Sequence, residues 1–220
     1  MTAPMPLDIH PRSSVARAAG IRVHPCLRVT LVALGLALAA CAGPAEPPDS
    51  FYRIEPGAPV QHFAKPVLPG VIEVNRLAAD GVASERALAF ARGEGGALGH
   101  YKYDFWSEPP GMLLQDRLAH YLAAAGLADR VVTPELRVLP DWVLRGKVRR
   151  FEQIAGRSEV VIDVELGVVS ARDGRLVLLE TYVARVPAAS ERVEDAAQAM
   201  EKGVADIFAR FLADLGRAAR

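Results

Sequence analysis

Cysteine is almost absent from this chain: 220 residues hold two, Cys26 and Cys41. Two thiols cannot build a disulfide framework or a thiolate zinc site. Histidine is also scarce. Beyond Cys41 there are only His62, His100 and His120, none at HxH or HExxH spacing, so a zinc site of familiar spacing is excluded. There is no GxSxG elbow and no P-loop. Gly93, Gly95 and Gly96 do not complete a GxGxxG, because position 98 is Leu. No cofactor is implied. Net charge is absent too, with 26 basic and 26 acidic side chains, which argues against a nucleic-acid footprint spread over the chain. No apolar run is long enough to span a bilayer. The uncharged stretch 29–40 has twelve residues, roughly 18 Å of helix against a hydrocarbon core of about 30 Å. What the chain has in quantity is apolar residues, 51%, which excludes intrinsic disorder.

The charge is unevenly distributed. Arg12, Arg17, Arg22 and Arg28 face one acid, Asp8, in the first 28 residues. A basic flank, a short apolar run and small residues at its exit describe an export signal. Leu38-Ala39-Ala40-Cys41 has the form of a bacterial lipobox, whose cysteine is lipidated and becomes the new N-terminus. Only a thiolate is nucleophilic enough to take a diacylglyceryl group at that place. Ala42 follows the cysteine, so an Asp resembling an inner-membrane retention signal is absent, and by analogy with similar lipoproteins the expected destination is the outer membrane. The expected organisation is a signal peptide over 1–40, a Pro-rich tether over 41–50 and a single domain over 51–220. Without the leader, 22 basic residues meet 25 acidic ones, so the exported part is mildly acidic.

In the domain, Phe51 to Ile54 and Val71 to Val74 are strand candidates. Residues 86–92 and 98–105 form a hairpin around Gly93-Glu94-Gly95-Gly96. Ser107 is a candidate cap for a helix entered through Pro109-Pro110, with Leu114, Leu118 and Leu122 on its apolar face, Gln115, Asp116 and His120 away from it, and Gly126 beyond its end. Val131-Val132 is a further short strand. Three strands in a meander follow, at 142–148, 160–168 and 177–183. If the first two pair so that residue numbers add to 312, Lys147 opposes Glu165, Arg149 opposes Asp163, and Val148 meets Val164. The last helix steps Val193, Ala197, Met200, Val204, Ile207, Phe208, Phe211, Leu215, with Ser190 as candidate cap. The fold class is α+β: a two-layer sandwich, mainly antiparallel sheet, with two amphipathic helices packed on one face.

Three clusters are candidates for chemistry. Tyr101, Tyr103 and Phe105 alternate along one strand and Trp106 follows. They read as core aromatics or as a surface that contacts a partner or an acyl chain. The row Arg145, Lys147, Arg149, Arg150 reads as cross-strand ion pairs or as a patch for anionic headgroups. His100 and Asp104 share a strand face at i, i+4, but no nucleophile accompanies them, so an enzyme is not expected and the catalytic and metal sets are empty.

The lipobox, the FYRI strand, YKYDFWSEPPGMLLQDRLAHYLAAAG, VLRGKVRRFE and ARDGRLVLLETYVARVP, in this order, resemble the ABC-type transport auxiliary lipoproteins. The most distinctive piece is Phe105-Trp106-Ser107-Glu108-Pro109-Pro110. The resemblance covers essentially residues 41–215. It implies a periplasm-facing accessory lipoprotein of an MCE-type ABC transporter that moves phospholipid or other hydrophobic molecules between the inner and outer membranes. Its implied partners are an MCE-domain substrate-binding protein and, through the N-terminal lipid, the outer membrane's inner leaflet. Cys41 alone carries over with a defined role. A lipid-carrying domain with its own cleft and an outer-membrane biogenesis lipoprotein stay open beside the adaptor reading.

Overall fold

The computed structural model describes residues 46–219. The leader and Cys41 lie outside the described residues. In chain order the elements are β1 (Ser50–Tyr52), β2 (Leu68–Val74), β3 (Ala78–Ala79), β4 (Ala87–Ala91), β5 (Leu98–Trp106), α1 (Pro110–Ala124), β6 (Ala128–Val132), β7 (Trp142–Ile154), β8 (Glu159–Ser170), β9 (Leu176–Pro187) and α2 (Val193–Ala218). Two 3-10 turns, Gly81–Ser84 and Pro134–Leu136, interrupt the connections.

The long strand β7 organises the sheet. On one flank it pairs antiparallel with β8, and β8 with β9, as the meander requires. The other flank is shared end to end by three short strands. β2 meets β7 at Ile72↔Trp142, β3 at Ala78↔Lys147 and β4 at Ala89↔Glu152, all three parallel. β6 adds to β2 and β1 to β5, again parallel. The sheet is therefore mixed. Its longest pairings are antiparallel, but five short parallel ones join them. The reason is the crossover: parallel neighbours need a long connection, and the chain passes through β5, α1 and β6 between β4 and β7.

The β7–β8 register follows the 312 sum from Trp142 to Val148 and then slips by one residue. Arg149 is the bulged residue, and Arg150 rather than Arg149 opposes Asp163. A bulge leaves one residue unpaired and sharpens the local twist. It also places Arg149 against Glu165, with which it forms an ion pair.

Both helices lie against the apolar face. β8 presents Val160, Ile162, Val164, Leu166 and Val168, each at most 3% exposed. α2 answers with Met200, Val204, Ile207, Phe208, Phe211, Leu212 and Leu215, at 0–2%. Gly203 lets α2 approach the sheet: a Cβ there would stand 2.6 Å from the Ile162 Cδ1. α1 buries Leu113, Leu114, Leu118 and Leu122 in the same core. Gln115, expected to face away, is buried and donates to the Val74 carbonyl at 2.9 Å. Its amide satisfies an acceptor that would otherwise be buried unpaired.

The helix caps fall two residues later than the candidate capping residues suggest. α1 is capped by Pro109, with no side-chain cap, and begins at Pro110. Ser107 instead donates its N–H to the Tyr52 carbonyl and ends the pairing of β1 with β5. α2 is capped by Arg192. Ser190 stays two residues ahead, where its hydroxyl accepts the Arg192 N–H and bonds Asp195. Gly126 has φ +68° just past α1, as a C′ glycine should.

Candidate functional site

The β4–β5 hairpin carries the aromatic cluster, and its register decides where each ring goes. Ala87 opposes Phe105, but Ala89 opposes His100. Between these pairs β5 gains extra residues, so strict alternation along the strand is lost. Tyr101 and Phe105 both line one open groove, and Tyr103 is not among its lining residues. Tyr101 packs against the core, with Phe90 at 5.1 Å between ring centroids, and donates its hydroxyl to Gln153 at 2.8 Å. Gln153 in turn donates to the Glu191 carbonyl ahead of α2. Burial holds the Tyr101 phenol above its ordinary range. Trp106 is core, 1% exposed and tilted over Phe151 at 5.2 Å. Tyr103 is half-buried, with the Lys102 ammonium 4.8 Å from its ring centroid.

Phe105 behaves differently. It stacks on Phe51 of β1, centroids 5.7 Å apart, and Phe51 is 58% exposed. The Arg86 guanidinium sits over Phe51 at 5.3 Å, a cation–π arrangement. These three side chains border an open groove of about 540 Å³. Asp49 and Glu85 stand on its rim, with His100 and Lys102. The neighbouring residues face inward: Tyr52 donates to Asp104 at 3.1 Å, and burial, reinforced by this bond, pushes its pKa up to about 12.

His100 and Asp104 are not brought together. His100 lies 4.0 Å from Glu85, both half-exposed, and Asp104 serves Tyr52. The irregularity in β5 separates them. The basic row resolves into ion pairs: Lys147 with Asp80, Arg149 with Glu165, Arg150 with Glu94 and Glu152. Arg145 is exposed. Among the described residues, no three metal-ligating side chains cluster and no helix is long and apolar enough to cross a membrane.

Sequence reasoning did not foresee Phe51 and Arg86 as groove residues. Phe51 sits in a strand whose partner is β5, more than fifty positions downstream, and no local pattern announces that pairing. Cys41 lies outside the described residues.

The described residues form an α+β domain with a buried core and an open groove of mixed polarity beside its first strand. Residues 52–211 match the family model of the ABC-type transport auxiliary lipoprotein component, and the chain belongs to that family. No curated protein matches it. Among solved structures, protein XCC0632 from Xanthomonas campestris superposes with a TM-score of 0.63 at 21% identity, over 74% of this chain and 92% of that one. A second crystal structure, of an uncharacterized protein, gives a TM-score of 0.60 at 14% identity, over 76% and 98%. At these identities the likeness is one of fold.

Proposed function

We propose that this protein is a non-catalytic adaptor of an MCE-type ABC transporter that moves phospholipid or other hydrophobic molecules across the envelope. Cys41 carries the lipid anchor, residues 41–50 form the tether, and the domain beyond them faces the periplasm from the inner leaflet of the outer membrane. Several acyl chains on one cysteine hold a protein far more firmly than the marginal binding of a single chain. The domain docks on the transporter's MCE-domain substrate-binding protein and supplies position without turnover.

The observation that favours an adaptor over a carrier is the filled interface between sheet and helices. Val160 to Val168 of β8 and Met200 to Leu215 of α2 meet at 0–3% exposure along their facing positions. Side chains closed off from solvent to this degree leave no open space for an acyl chain between the layers. The space a carrier would use is occupied by the protein's own side chains.

The reading is tested by crosslinking in cells at native expression, followed by purification of the lipoprotein. Recovery of an MCE-domain protein supports it. Recovery of none, under conditions that retain other envelope complexes, overturns it. Native mass spectrometry of the purified protein separates the carrier: a stoichiometric lipid beyond the anchor that persists in an Arg86→Glu variant would contradict the adaptor.

A further inference from the structure

We infer that the groove between β1 and the β4–β5 hairpin seats on the leaflet that holds the anchor and receives a zwitterionic phospholipid headgroup there. This rests on the lipidation of Cys41 in the proposed function, and is independent of the transporter partner.

Four observations carry it. Phe51 is a large apolar side chain at 58% exposure, and it is not scattered alone but stacked on Phe105. A ring with one side packed and the other exposed suits the boundary between headgroups and acyl chains. Position comes second. The groove's rim includes Asp49, the last residue before β1. About ten residues separate Cys41 from Phe51, a reach of at most ~36 Å fully extended. A tether of that length keeps the groove at high effective concentration beside the leaflet.

The third observation is charge. The lining carries both signs, Arg86 and Lys102 against Asp49 and Glu85, with the His100 ring 4.0 Å from Glu85. A purely anionic ligand would meet two carboxylates. A zwitterionic headgroup meets complementary charges at both ends, its phosphate toward Arg86 and Lys102 and its ammonium toward Asp49 and Glu85. The last is size. About 540 Å³ falls in the range of small-molecule sites.

A second exposed apolar segment gives an internal control. Leu136, Val138 and Leu139 of the β6–β7 connection are 64%, 44% and 92% exposed. They lie beyond the start of β7, whereas the β4–β5 pairing is anchored near its far end. Apolar exposure alone would predict equal lipid contact at both.

The experiment uses the full lipidated protein in vesicles of phosphatidylethanolamine with a minority of phosphatidylglycerol. A photo-crosslinking residue replaces Phe51 in one variant and Leu139 in another, and adducts are read by mass. Lipid adducts at 51 roughly tenfold above those at 139 are expected, a tenfold ratio being the reading of a modest preference. Arg86→Glu should lower the adduct at 51, and exchange of phosphatidylethanolamine for phosphatidylcholine should leave it. Equal adducts at both positions, more at 139, or none at 51 overturns the inference. So does a mass without acyl chains on Cys41, which removes the anchoring as well. Cells in which position 51 captures lipid but no MCE-domain protein is recovered would sink the adaptor and leave the groove standing.

Discussion

Glu94, at the tip of the β4–β5 turn, accepts two hydrogen bonds from the Arg185 guanidinium of β9, at 2.8 and 2.9 Å. Arg150 of β7 adds a third at 3.2 Å. A glycine-rich turn is thereby held onto the polar face of the sheet by a side chain 91 positions away. The fork geometry of Arg185 suits a carboxylate, and together with Arg150 it pulls the Glu94 pKa from 4.5 to about 2.

A carboxylate depressed in the folded state stabilises the fold above its unfolded pKa and loses that contribution as pH falls through the folded value. For Glu94 the window runs from about pH 4.5 down to about 2. Glu94→Gln should therefore flatten the acid limb of the stability profile in that window. The exposed setting keeps the effect on the neutral-pH Tm small. Amide exchange over residues 92–98 should rise in the variant. Unchanged exchange there would mean that the turn is held by its own geometry.

Two buried glycines should respond oppositely to alanine. A Cβ at Gly111 would stand 2.2 Å from the Leu77 carbonyl oxygen, which is backbone and already near the Gly111 carbonyl through the Leu77 N–H. Gly111→Ala should destabilise by about 1–3 kcal/mol through overpacking, despite a gain of about 1 kcal/mol in helix propensity. At Gly203 the tightest neighbour is the end of the Ile162 side chain, which can turn aside. Gly203→Ala should be close to neutral. Urea unfolding with comparable m-values decides both.

The α2–sheet interface supplies a third test. Phe211 is fully buried and meets Tyr182 edge-on at 6.0 Å. Phe211→Ala should remove about 3–5 kcal/mol. The Tyr182 hydroxyl donates to Asp214 at 2.9 Å, and burial, then this bond, holds the phenol above its ordinary range. Tyr182→Phe should lose about 0.5–1.5 kcal/mol. A negligible loss at Phe211 would indicate a loose interface and revive the carrier.

Lys147 and Arg149 are engaged by Asp80 and Glu165. Replacing both by alanine should leave binding of the lipidated protein to phosphatidylglycerol-rich vesicles unchanged. Each pair contributes at most about 1 kcal/mol to stability. A clear drop in vesicle binding would restore the basic row as a lipid contact.

His100→Ala should leave the fold unchanged, because the ring meets Glu85 at 4.0 Å with both side chains half-exposed. Thermal unfolding checks this, and a clear drop in Tm would show that the His100–Glu85 contact supports the hairpin.

Much of this architecture is written locally. The period-two runs at 142–148 and 160–168 specify β7 and β8, and the matched apolar pairs Val148–Val164 and Leu144–Val168 set their register. The three-and-four spacing from Val193 to Leu215 specifies α2 and the face it buries. Gly126, with its positive φ, ends α1 as its position suggests. These features depend on near neighbours along the chain, where side-chain period translates directly into a buried face. The order of motifs likewise places the chain in its family.

What only the tertiary structure decided lies where distant segments compete for one partner. β2, β3 and β4 take successive stretches of a single β7 flank, a parallel arrangement that no hairpin signal announces. The bulge at Arg149 and the slip between Ala87 and Ala89 move side chains from one face to the other, because a one-residue shift inverts every position on a strand. The aromatics of β5 divide accordingly, Trp106 to the core, Phe105 to Phe51, and Tyr101 between the core and the groove. The scarcity of cysteine and histidine already leaves little basis for metal or thiol chemistry. Where the groove stands follows from the pairing of Phe51 with Phe105, more than fifty residues apart in sequence and one hydrogen-bonded ladder wide in space.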